Sequence, residues 1–146
     1  MLVFFAKFQI DILGHLLITS MVNQQEQIAM KFVKDWAEKQ KIKVKEKHRM
    51  GVGYDYEFIY PDGKTEKVEV KGTEKEYKIP DMSVKEFDEK KRLKADFLLV
   101  VGNVFSERKI LYKIPREDIN PMNLLLKKTY RIERFQNRKN MEKYIV

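Results

Sequence analysis

The chain has 146 residues, of which 43% are apolar and 36% charged, with a formal net charge of +8. That length suffices for one core without staples, and the balance is that of a folded soluble domain. The absence of cysteine excludes disulfides, thiolate metal sites and a cysteine nucleophile, and it suits a reducing, cytoplasmic setting.

Read in chain order, the first twenty residues are strongly apolar. Lys7 and Asp11 interrupt them, so they fall short of the ~20 uncharged residues of a membrane span. They also lack a basic leader and a small-residue cleavage site, unlike a signal peptide. Residues 1–20 are expected to pack as an apolar element or to make a homodimer contact. Met21 is an alternative start that would make them an upstream extension of a single domain over 21–146. From Asn23 to about Lys39 the apolar residues Ile28, Ala29, Phe32, Val33, Trp36 and Ala37 recur at helical spacing. A short strand is expected near Ile42 to Lys45.

Tyr54, Tyr56, Phe58 and Tyr60 then alternate before Pro61-Asp62-Gly63, and Val68 and Val70 alternate after it, which predicts a hairpin. A three-residue loop with Gly63 in the left-handed position pairs Tyr60 with Lys64, Tyr56 with Val68 and Asp55 with Glu69. Asp55, Glu69 and Lys71 then share one face and the aromatic residues the other. A two-residue turn at Asp62-Gly63 would shift the pairing by one and separate the two acids. Like charges directly opposed destabilise a sheet, so the first register asks for a cation between them. The simpler alternative is a surface salt bridge to Lys71.

Ser83 and Glu86 form a capping box that predicts a second helix from Ser83 to about Lys94. The run from Ala95 to Val104 reads as a strand buried on both faces, and Lys109 to Ile114 as another. Beyond Pro121 a short helix is expected over 122–128, a strand over 130–135 and a basic terminal helix. The order predicts an α/β fold with a mixed sheet and helices packed on it.

Positive charge is concentrated in two segments. Lys39 to Arg49 holds six basic residues and one acid, and Lys127 to Lys143 holds seven basic residues and two acids. Such segments release counterions on binding nucleic acid, though isolated basic runs are commonly just solvated faces. His48, Arg49, Lys75, Lys78, Lys127, Lys128, Arg131 and Arg134 are the candidate phosphate contacts.

The stretches "GYD" (Gly53 to Asp55) and "EVKGT" (Glu69 to Thr73), with "EQIA" on the leading helix and "EF" at Glu86-Phe87 before "DFLLVVGNV", resemble the PD-(D/E)xK nuclease superfamily. Within it they look most like the branch named after the C-terminal domain of the NO VEIN protein. The resemblance implies a restriction-endonuclease-like fold and Mg2+-dependent hydrolysis of phosphodiester bonds, DNA favoured, with Mn2+ able to substitute. It implies that Asp55, Glu69 and the Val70 carbonyl hold the metal, that Lys71 orients the attacking water, and that Glu26 supports the lysine or a second metal. Tyr54 stands where the superfamily's name has proline. The alternatives are a catalytically silent nucleic-acid-binding module of the same fold, and an interaction subunit that docks through the apolar N-terminus. A lysine- and glutamate-rich surface without cysteine is also a compositional mark of hyperthermophile proteins.

Overall fold

The computed structural model describes residues 23–119, 129–130 and 138–146. The apolar segment 1–20, Met21, the helix expected over 122–128 and residues 131–135 of the expected strand lie outside them. Helix α1 spans residues 23–39, and it buries Ala29, Val33 and Ala37 completely, one residue per turn along a single stripe. It ends where Lys41 turns into the left-handed region (φ 59°), and Ile42 N–H then closes onto the Ala37 carbonyl.

Five strands form one mixed sheet in the spatial order β1 (Lys43–Glu46), β2 (Tyr56–Ile59), β3 (Thr65–Gly72), β5 (Phe97–Gly102) and β6 (Ile110–Pro115). β4 (Met82–Ser83) pairs separately with β7 (Thr129–Tyr130). The β2–β3 hairpin pairs Tyr56 with Val68 and Phe58 with Glu66, as the three-residue loop predicts. Gly63 holds φ 86°, and Tyr60 N–H donates to the Lys64 carbonyl. β3 and β5 run parallel, Glu69 beside Leu98 and Lys71 beside Val100, and every residue of β5 is buried.

The sheet separates two cores. On one side Phe58, Val68, Val70, Leu99 and Val101 meet the α1 stripe. On the other, Leu98, Val100, Tyr112 and Ile114 are covered by Ile79, Met82, Phe87 and Leu93, and by Met141 and Tyr144 at the C-terminus. Fully burying an aliphatic side chain of this kind contributes about 1.5–3 kcal/mol, so both layers hold the sheet firmly. The second layer is where Glu69 and Lys71 stand.

That second layer is not the helix expected over 83–94. The capping box is present, with Ser83 N–H donating to Glu86 Oε2 at 3.0 Å and Lys85 N–H to Ser83 Oγ at 3.3 Å, but it opens a 3-10 turn of three residues only. Asp88 then accepts the backbone N–H groups of Lys90 and Arg92, both at 2.9 Å, which diverts them from a helix. Lys91 takes φ 57°, and Phe87 and Leu93 meet as an antiparallel bridge. Their spacing of six residues fits a doubled-back loop that buries both. At the C-terminus, helix α2 (Arg138–Met141) runs into a 3-10 turn over Glu142–Tyr144.

Candidate active site

Asp55 lies at the mouth of the hairpin, just before β2. Both Lys47 and His48 donate their N–H groups to its carbonyl, at 2.7 and 3.1 Å, so two residues oppose one and the chain bulges there. The ladder ends at Tyr56 and Val68, and the pairing of Asp55 with Glu69 expected from the sequence is not part of it. Instead the Asp55 carboxylate reaches across: Oδ2 accepts the Val70 N–H at 2.9 Å. That bond hooks the acid onto the strand that carries Glu69 and Lys71.

Glu69 is 3% exposed, and its Oε1 lies 2.7 Å from Lys71 Nζ. The same ammonium lies 2.6 Å from Glu86 Oε1. Gly72 allows α1 to press onto β3 near Gln25, since a Cβ there would stand 2.7 Å from the Gln25 carbonyl oxygen and 3.0 Å from Ala29 Cβ. This approach brings Glu26, which is exposed, to the rim. Gly53 has φ 87°, and a Cβ on it would fall 2.5 Å from Lys94 Cδ and 2.6 Å from the Lys85 carbonyl oxygen. The glycine lets the 83–94 loop close over the site.

Asp55, Glu69, Lys71, Glu86, Glu26 and Gly53 line one pocket of about 180 Å3. Four carboxylates reach it, those of Glu26, Asp55, Glu69 and Glu86, together with Lys71, Lys85 and His48. Burial pushes the Asp55 carboxyl above its ordinary value, and the charges of Glu26 and Glu86 add to this against the opposing Val70 N–H and Lys71. Burial likewise pushes Glu69 well up; Lys71 opposes this, and the charges of Glu86 and Asp55 reinforce it. Burial acts to lower Lys71, but Glu69 and Glu86 outweigh it and keep the ammonium charged.

Among the described residues no group of three or more histidine, aspartate or glutamate side chains forms a ready cage for a metal ion. Mg2+ needs fewer, because it keeps several waters and binds through one or two carboxylates plus substrate phosphate. The donor chemistry here fits such an ion: hard carboxylate oxygens share one pocket, and burial, reinforced by the neighbouring carboxylates, holds Asp55 and Glu69 above their ordinary values.

The remaining sequence candidates divide. His48 lines the pocket, and Arg49 beside it lines an adjoining groove of about 460 Å3 that shares Glu26 and His48 with the pocket. Lys75 and Lys78 are exposed and line neither. Lys127, Lys128, Arg131 and Arg134 lie outside the described residues. Glu86 is absent from the sequence candidates, because its capping role accounts for it locally. No helix among the described residues is long and apolar enough to cross a membrane.

Fold and pocket together define an α/β chain with a mixed five-stranded sheet and an acid-lined cavity over its second layer. The family model described as Protein NO VEIN, C-terminal, matches residues 25–114, and the chain belongs to that family. No curated protein and no solved structure matches it.

Proposed function

We propose that the protein is a metal-dependent nuclease of the PD-(D/E)xK superfamily with a restriction-endonuclease-like fold, hydrolysing phosphodiester bonds in nucleic acid, DNA favoured. The observation that carries this is the convergence of Asp55, Glu69 and Lys71, from the GYD and EVKGT stretches, on one pocket that Glu26 also lines. Asp55, Glu69 and the Val70 carbonyl would hold a Mg2+ or Mn2+ ion. Such an ion supplies a Lewis acid for the phosphate oxygens and lowers the pKa of bound water. Lys71 orients the attacking water and meets the charge that builds on phosphate. Glu26, at the rim, adds a carboxylate that supports the lysine or a second ion. His48 and Arg49 anchor the flanking phosphate backbone through the adjoining groove.

A second reading is nucleic-acid binding without cleavage. It is favoured by the double ion pair on Lys71, which by itself is a complete salt-bridge cluster. Labelled DNA and RNA substrates incubated with Mg2+, Mn2+ or a chelator separate the two. The nuclease reading expects cleavage that needs the metal and is lost in Glu69→Ala. Undiminished cleavage by that variant removes the assignment of the site. Binding with no cleavage by the wild-type chain leaves the second reading.

A further inference from the structure

Glu86 stands on a different element from the residues that carry the proposed chemistry, 15 positions beyond Lys71, yet its carboxylate touches the Lys71 ammonium at 2.6 Å. It is held at three points. Its Oε2 accepts the Ser83 N–H at 3.0 Å, its Oε1 takes Lys71, and its backbone carbonyl accepts the Lys94 N–H at 2.8 Å. Only 9% of the residue is exposed. The capping box therefore does more than open a turn: it fixes a carboxylate in a direction that reaches the lysine.

Lys71 has a long, flexible stem, and a single partner would leave its position to that partner. Here the other partner is Glu69, a group that the nuclease reading requires for a cation. An ammonium bound to Glu69 alone would compete with the cation for the same oxygens. Two carboxylates on one ammonium remove that conflict, since Glu86 keeps Lys71 in place when Glu69 turns to another ligand.

We infer that Glu86 is a positioning residue for Lys71, holding the ammonium beside the reacting phosphate while Glu69 serves the metal. This rests on the nuclease reading, but the contact itself does not. The box Ser83-x-x-Glu86 then sets the geometry of the site, and the loop over residues 83–94 is part of the catalytic apparatus.

The test compares the full-length wild type with Glu86→Gln in two measurements. In the first, steady-state cleavage of labelled DNA with Mg2+, the variant is expected to lose about 10²-fold in kcat, the scale of a misplaced group, with KM nearly unchanged. In the second, both proteins carry Glu69→Ala in addition, so that Glu69 no longer holds the lysine; they are labelled with 13C-lysine without metal, and Lys71→Met identifies the Lys71 signal. The Lys71 Hε protons are expected to be inequivalent while Glu86 is present, as on an immobilised ammonium, and to average once Glu86→Gln is added. Glu86→Asp, which keeps the charge but withdraws it, replaces the glutamine variant if that one does not fold, with the same expectations. An unchanged lysine signal overturns the proposal, and so does a loss confined to KM. If the wild type cleaves nothing, the nuclease reading fails, and the lysine signal still decides whether Glu86 holds Lys71.

Discussion

The Val70 N–H donates to Asp55 Oδ2 at 2.9 Å, so the acid of one hairpin strand is bound to the backbone of the other. Val70 is 1% exposed, and removing the acceptor would leave a buried donor without a partner. Asp55→Ala should therefore destabilise the protein by about 1–3 kcal/mol as well as abolish cleavage. Asp55→Asn keeps an oxygen for that N–H and should abolish cleavage with a much smaller loss of stability. Chemical denaturation of the two variants checks the difference.

Glu69 has the opposite character, a buried acid whose charge the fold does not favour. Its folded pKa is raised above the ordinary value of 4.5, chiefly by burial. The folded state then holds the proton more tightly than the unfolded one. The contribution is fully present below about pH 4.5 and is lost as pH rises through the folded value. Glu69→Gln, a fixed neutral analogue, should match the wild type in stability near pH 4 and exceed it increasingly towards neutral pH. Unfolding curves at several pH values in the absence of metal would show the widening gap. Added Mg2+ should narrow it by stabilising the wild type alone.

The glycines at the two ends of the hairpin should respond differently to the same substitution. Gly63 has φ 86° with open space within 4 Å of where a Cβ would stand, whereas Gly53 combines φ 87° with the Lys94 stem and the Lys85 carbonyl. Gly63→Ala should cost about 1–2 kcal/mol from backbone strain. Gly53→Ala should cost more and should also lower cleavage, because the 83–94 loop must move off the pocket. Thermal unfolding paired with a rate assay distinguishes the two.

Arg49 and Lys78 are both basic candidates from the sequence, but only Arg49 borders the groove beside the pocket. Arg49→Ala should weaken DNA binding and reduce the slope of log affinity against log salt by about one. Lys78→Ala should leave both unchanged. Titrations at several salt concentrations provide the comparison.

How far the sequence could be read depended on the range of the interactions. α1, the hairpin and its turn depend on contacts between near neighbours, and the stripe of Ala29, Val33 and Ala37 and the Pro-Asp-Gly loop both declare them. The register of Tyr56 against Val68 follows from the loop length alone. The segment after Ser83 misleads because its first turn is genuinely capped, while Asp88 and the buried pair Phe87 and Leu93 turn the rest back on itself. A regular ladder would have set Asp55 opposite Glu69; instead the Asp55 N–H donates to the Val68 carbonyl and its carboxylate accepts the Val70 N–H, an irregularity that leaves no local mark. Glu86 reads as half of a capping box, which it is; its contact with Lys71 is made only by the tertiary fold.

The most direct test of the proposed metal site is a crystal of the protein grown with Mn2+, with data collected at the manganese absorption edge. The nuclease reading predicts an anomalous peak between the carboxylates of Asp55 and Glu69, with Lys71 beside it still held by Glu86. A map with no peak in that pocket at saturating Mn2+, or with Lys71 still closed onto Glu69 in its place, would contradict it.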